Sequence, residues 1–222
     1  MKANCKLLFK DFILSILAGI SISIGCVSYL ISNNTFIGSL VFCVGLFIIL
    51  CFNFNLFTGK VCYIFENSSF YGIKLCVIWF GNLVGTTLSA ILFRCTRLIS
   101  LVERCRDIVN YKLSDDLISI FILAFFCNIL IFVAVDGFKN NKHEIGKYLS
   151  IFFGVSIFVL CGFEHCVADM FYFAFAGSIS IKTLLYLLII TLGNAVGGVL
   201  IPLIKKFITE KKVDLIDKEQ DK

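Results

Sequence analysis

Six stretches of the chain are long, nearly free of charge and apolar: Phe12 to Ile31, Ile37 to Phe57, Leu75 to Phe93, Leu117 to Val135, Tyr148 to Phe175 and Thr183 to Ile204. A hydrocarbon core about 30 Å thick is crossed by about 20 residues of α-helix, and within it a helix satisfies its own backbone polar groups. Each stretch therefore predicts a spanning helix, joined to the next by a short polar connection. The longest connection, Arg94 to Asp116, mixes Leu98, Ile99, Leu101, Val102 and Ile108 with charges, a pattern that predicts an interfacial amphipathic helix. From Lys211 to Lys222 the chain is almost wholly polar without a periodic apolar face, and a solvated, disordered tail is expected there. The organisation read from this pattern is a single transmembrane domain over residues 1–210 followed by a charged cytoplasmic tail over 211–222.

Composition agrees with the pattern. Of 222 residues, 59% are hydrophobic and 16% charged, against about 25% charged in an ordinary soluble domain. Six spans and their connections leave no room for a separate soluble domain. The net charge of +5 does not form a nucleic-acid-binding stripe, because the basic residues lie between and beyond the apolar runs, where they act as topology signals. Placing both termini in the cytoplasm puts Lys60, Lys74, Lys139, Lys142, Lys147 and the basic ends of the chain inside. Arg94, Arg97, Arg104, Arg106, Lys112 and Lys182 are left outside. The 11 cysteines sit mostly within apolar runs and form no C-x-x-C pair, so neither a disulfide nor a redox role is inferred. The first apolar run, preceded by Lys2, Lys6 and Lys10, has the flanks of a signal peptide but continues to Ile31, long enough to be retained as a span.

Two internal echoes point to function. Gly81-Asn82-Leu83-Val84-Gly85 in the third run resembles Gly193-Asn194-Ala195-Val196-Gly197 in the sixth. Halves of three spans each would be inverted relative to one another, a common transporter design whose site lies where helices are interrupted. The second and fifth runs carry such interruptions. The second passes through Asn53 and Asn55 into Leu56-Phe57-Thr58-Gly59; the fifth contains Gly162-Phe163-Glu164-His165 and Asp169. A broken helix offers unpaired N–H groups and the positive end of a dipole, which can host an anion without a full charge in the membrane.

A charged carboxylate at mid-membrane costs about 2.5 to 3.5 kcal/mol on insertion scales. Glu164 and Asp169 are therefore expected to cap a half-helix or to serve the transport path. His165 is either a satisfied interior histidine or a group exchanging a proton or hydrogen bond with a weak-acid solute. His143, in the polar stretch Lys139 to Glu144, is expected to be solvated. The glycines of the paired motif have helix packing as their main role, and Asn82 and Asn194 are expected to bond to the broken-helix backbone. Cys161, His165 and Cys166 could form a soft-metal cluster, but a helix break upsets the geometry and no second cluster completes it. The sequence has no phosphate-binding glycine loop, G-x-S-x-G or H-E-x-x-H motif, so an enzymatic reading has no specific support.

These residues resemble the formate/nitrite transporter family over essentially all six runs, from about Lys10 to Ile204. Leu56-Phe57-Thr58-Gly59 is similar to that family's interruption in the second span, and Gly162-Phe163-Glu164-His165-Cys166-Val167-Ala168-Asp169-Met170-Phe171 to its interruption in the fifth. Gly81 to Gly85, Cys127-Asn128-Ile129-Leu130 and Gly193 to Gly198 fall in the same order. The resemblance implies an all-α membrane protein, aquaporin-like, with six transmembrane helices as two inverted three-helix repeats and broken second and fifth helices. It also implies a homopentamer in the cell membrane with a pore in each protomer. It further implies a protein that is not an enzyme, needs no cofactor and carries small monovalent weak-acid anions such as formate, nitrite or hydrosulfide, passively or coupled to protons.

Carried over by position, His165 is the central pore histidine, Thr58 the threonine that contacts it or the solute, and Asn128 the pore asparagine. Phe42, Leu46, Leu56 and Phe158 match the apolar constrictions, Lys10 and Lys147 the basic vestibule, and Glu164, Asn82 and Asn194 support the pore. Two positions depart from the family pattern: Asn55 stands where an acid is frequent, and Asp169 where Asn is common. The competing readings are a neutral-solute channel of the same fold, a soft-metal transporter using Cys161, His165 and Cys166, and a non-transporting membrane protein. The Asn-Pro-Ala pair of the neutral-solute class is absent; Pro202 is the only proline.

Overall fold

The computed structural model describes the backbone of residues 2–220 and the side chains of residues 6–209. The solvated tail expected from Lys211 lies outside the described side chains. The chain is all helical: α1 (Lys2–Ile31), α2 (Thr35–Phe42), α3 (Val44–Cys51), α4 (Phe57–Val61), α5 (Phe70–Arg94), α6 (Val102–Ser114), α7 (Leu117–Asn140), α8 (Glu144–Leu160), α9 (Cys166–Ala176) and α10 (Ile181–Gln220). Four stretches, Lys6–Ile31, Phe70–Arg94, Leu117–Asn140 and Ile181–Thr209, are long and apolar enough to cross a membrane as unbroken helices. The second and fifth apolar runs are instead divided, one into α2, α3 and α4, the other into α8 and α9.

The two divisions are built alike, residue for residue. After α3, Asn53 takes a left-handed backbone (φ 54), and after α8, Gly162 does so (φ 66). The following N–H turns back across the helix end: Phe54 N donates to Ile49 O and Phe163 N to Phe158 O, each 2.9 Å. A left-handed residue closing a helix with such a long-range bond is a Schellman stop, for which Gly and Asn are the favoured residues. Three further residues lead to the next helix start, so Asn53-Phe54-Asn55-Leu56 corresponds to Gly162-Phe163-Glu164-His165.

The paired Gly-Asn-x-x-Gly motifs hold these breaks in place. Asn82 accepts from Phe57 N (2.9 Å) and donates to Asn55 O (2.9 Å) and Ser15 O (2.8 Å). Asn194 does the same one half later: it accepts from Cys166 N (2.9 Å) and donates to Glu164 O (2.9 Å) and Ala124 O (2.7 Å). Each asparagine joins the two strands of a broken backbone to the helix packed behind it, satisfying groups that would otherwise be buried and unpaired. The glycines permit this approach. α5 lies so close to α1, and α10 to α7, that a Cβ on Gly85 would stand 2.2 Å from Ile16 O and one on Gly197 2.0 Å from Phe125 O.

The basic third connection folds differently from its sequence-based expectation. A helix forms, α6, but its apolar face of Val102, Cys105 and Val109 is buried against protein, mainly α9. Its arginines and Arg94 cap neighbouring helix ends: Arg94 donates to Phe175 O (3.1 Å), Arg104 to Leu30 O (2.9 Å) and Arg106 to Ala176 O (3.2 Å). Cations at orphan C-terminal carbonyls complement the helix dipole, so these charges serve the fold as well as topology. Lys112 of the same helix turns its side chain into the protein. Large apolar side chains such as Phe36, Phe80, Ile118, Phe153 and Leu192 remain exposed around the bundle, as expected where the surrounding solvent is lipid.

Candidate functional site

His165 is the N-cap of α9, and this fixes its chemistry. Its Nδ1 accepts the Ala168 backbone N–H at 3.2 Å, as a capping group should. A nitrogen that accepts carries no hydrogen, so the neutral ring holds its proton on Nε2. Nε2 lies 2.9 Å from Thr58 Oγ1, and the ring therefore donates to the threonine. The Thr58 hydroxyl keeps its own hydrogen for a third group. Both side chains are buried. Thr58 is held from the other side by Asn128, whose Nδ2 donates to Thr58 O at 3.1 Å. The Oδ1 of Asn128 is buried without a hydrogen-bond partner.

Two cavities lie beside this pair. The first, about 80 Å³, is lined by His165, Phe42, Phe158, Lys112, Asp169 and Tyr29, among others. The second, about 40 Å³, is lined by Leu46, Leu56, Gly59, Lys60 and Lys139. Leu56 and Gly59 flank Thr58, so the Thr58–His165 contact stands between the two. Four apolar residues narrow the approaches. Phe42 and Phe158 meet edge to face with centroids 5.8 Å apart, and Phe158 stacks on the His165 ring at 5.5 Å. Leu46 and Leu56 are buried on the other side. Both cavities are small, with room for a solute of a few atoms.

The residues expected at the vestibule are not brought to either cavity. Lys10 is exposed, and Lys147 pairs with Glu144 at 2.5 Å one turn away on its own helix. Lys60 and Lys139 stand at the second cavity instead, near the side of the bundle where Asp11 pairs with Lys74 (3.1 Å) and Lys205 with Asp136 (3.3 Å).

The residue that sequence reasoning missed is Lys112. Its ammonium reaches Glu164 in a very short contact and stands 3.1 Å from Asp169 Oδ1, with all three side chains removed from solvent. A signal was present: Val102, Cys105, Val109 and Lys112 recur at helical spacing, so Lys112 shares the apolar face of α6. Asn55, the counterpart of Glu164 in the other half, donates to Asp11 Oδ1 at 2.9 Å. Cys161 is exposed and Cys166 buried, and no group of three metal-binding side chains converges among the described residues.

Residues 2–207 match the family described as formate/nitrite transporter. The chain belongs to this family. It is 30% identical to the uncharacterized transporter YrhG of Bacillus subtilis over 85% of its own length and 76% of that protein's. It is 26% identical to the formate-nitrite transporter of Plasmodium falciparum, over 77% of this chain and 62% of that one. To the formate channel FocA of Escherichia coli it is 26% identical, over 73% of this chain and 64% of FocA. The chain thus spans slightly less than two thirds of these last two relatives. Its fold is similar to that of a pentameric formate channel solved with formate bound (TM-score 0.82, 25% identity, 92% of this chain and 98% of that one). It is also similar to an ion channel of the same family (TM-score 0.81, 22% identity, 94% and 92%). This formate/nitrite transporter family member is accordingly a membrane transport protein, and anion transport through a channel is the activity its family and fold support.

Proposed function

We propose that the protein carries small monovalent weak-acid anions, formate first among them, through a pore in each protomer of a homopentamer, with both termini cytoplasmic in the plasma membrane. In this reading α2 to α4 form one interrupted crossing and α8 with α9 another. Six crossings then fall into two inverted halves, a reading supported by the matching hydrogen bonds of Asn82 and Asn194. The pore runs through the two cavities and past Thr58 and His165.

The observation that carries the proposal is the Thr58–His165 contact between two small cavities with apolar walls. Lys60 and Lys139 concentrate anions at one mouth. The Phe42–Phe158 and Leu46–Leu56 narrowings make a bare anion costly to pass, because nothing there replaces its hydration. The free Thr58 hydroxyl hydrogen, polarised by the His165 N–H behind it, offers the anion a donor at the centre. Imidazolium formation would put a hydrogen on Nδ1 and break the cap to Ala168, so His165 acts here as a hydrogen-bond donor. The proton that lets a weak acid cross as a neutral molecule then has to come from another group or from solution.

Flux into proteoliposomes of formate, nitrite, hydrosulfide and chloride, with glycerol as neutral control, tests this for wild type and His165→Ala. The expected result is weak-acid flux that rises as pH falls, little chloride or glycerol flux, and a loss of about fivefold to a hundredfold in the variant. The loss follows from removing a buried hydrogen bond worth about 1 to 3 kcal/mol, at about 1.4 kcal/mol per tenfold. Glycerol flux without anion flux would overturn the proposal.

A further inference from the structure

Glu164 and Asp169 bring two carboxyl groups to one ammonium. Lys112 contacts both, so the two carboxyl groups flank one ammonium. Both are almost wholly buried, Glu164 with 2% and Asp169 with 1% of its surface exposed. Lys112 spends its good hydrogen bond on Glu164. At Asp169 it offers charge without hydrogen-bond alignment, and both Asp169 oxygens are left with no donor.

The titratable side chains around Asp169 are Cys26 of α1, Cys105 and Lys112 of α6, Cys127 of α7, Cys166 of α9 and Glu164 at the break, with His165, Tyr29 and Tyr172 lining the same cavity. Lys112 is the one cation among them, since His165 is held neutral by its cap. Two ionised carboxylates would leave an uncompensated negative charge in a low-dielectric interior, which is strongly unfavourable. A single hydrogen between the acids removes that charge and gives one of the bare Asp169 oxygens its missing partner. This is the familiar outcome when two carboxyls share one site.

We infer that Glu164 and Asp169 together hold one exchangeable proton on the wall of the first cavity, and that this proton is the one given to the transported anion. The second part rests on the proposed anion-transport function. Asp169, Lys112 and His165 line the same cavity, so an anion resting there meets the proton donor beside the hydrogen-bond donor. In the step, the carboxyl O–H bond breaks and the proton passes to an anion oxygen, or to sulfur in hydrosulfide. The carboxyl pair is left doubly ionised beside Lys112, and the neutral acid moves on past Thr58. The pair then recovers its proton from water-borne protons on the side of the first cavity.

The test is infrared difference spectroscopy of the purified full chain in lipid. The expected result is a carbonyl-stretch band of a buried, protonated carboxyl group, persisting at a pH where free carboxylic acids are ionised. The band should shift when the protein carries isotope-labelled aspartate or glutamate, a readout that needs no substitution. It should be lost in both Asp169→Asn and Glu164→Gln, because either change leaves one acid for one lysine. In proteoliposomes, formate uptake by wild type should bring in one proton per anion, and Asp169→Asn should lose the rise of uptake with falling pH. A wild-type protein with no such band, or a band insensitive to the label and to both substitutions, overturns the proton site. A band of the expected kind without formate uptake upholds the proton site and overturns the transport reading instead. Uptake with one proton per anion and an unchanged pH dependence in Asp169→Asn overturns the donor role.

Discussion

Thr58 has one hydroxyl hydrogen to give, and His165 is arranged so that it stays available. Because Ala168 N–H occupies Nδ1, the ring can only donate through Nε2, which leaves Thr58 Oγ1 as acceptor on one side and donor on the other. Thr58→Val keeps the shape and removes both functions. It is expected to lower formate flux about fivefold to a hundredfold, at about 1 to 3 kcal/mol for an unsatisfied buried donor, while the protein remains monodisperse in detergent. Stopped-flow uptake with size-exclusion chromatography checks both parts; unchanged flux would remove Thr58 from the pathway. At this scale the sequence made His165 visible as a rare polar group inside an apolar run, and Thr58 and Asn128 by their resemblance to the family's motifs. It did not show that Lys112 from a distant connection meets Glu164 and Asp169. Charge pairing across more than fifty residues leaves no local pattern.

Helix ends decide the next level. Both breaks rest on a left-handed residue and on an asparagine from a neighbouring helix, whereas the close glycines set how near that helix comes. The two glycine roles predict different costs for the same change. Gly162→Ala meets nothing within 4 Å but must hold φ near +66, which costs about 1 to 2 kcal/mol. Gly197→Ala places a methyl 2.0 Å from the Phe125 carbonyl, so α7 and α10 have to separate and Asn194 withdraws from the break. Thermal unfolding in detergent should show a small decrease for Gly162→Ala and a much larger one, or loss of folded protein, for Gly197→Ala. The reverse order would mean that the break, not the interhelical contact, limits stability. The repeated Gly-Asn-x-x-Gly motif was legible as an echo. Its register was not: the structure sets Leu56 against His165, whereas motif matching alone drew attention to Leu56-Phe57-Thr58-Gly59.

For the molecule as a whole, the bundle presents apolar side chains outward and narrow cavities inward, and the proposed function assigns transport to each chain and assembly to its outer faces. The proposed homopentamer predicts a five-chain particle in native mass spectrometry from mild detergent, and reporter fusions at either end should locate both termini in the cytoplasm. A stable monomer with the same flux would separate the pore from the assembly.

Runs of apolar residues by themselves determined that this chain is helical and membrane-embedded, because each run has the length and composition that a bilayer demands. The rare polar residues within them determined where the chain would break. Only the tertiary structure decided which polar groups meet. Asn82 and Asn194 find their backbone partners, Thr58 finds His165, and Lys112 finds two carboxyls because closely packed helices bring distant residues within bonding distance. Inside such a bundle a buried hydrogen bond or charge must be paired, and that requirement acts through space, where sequence spacing carries no record of it.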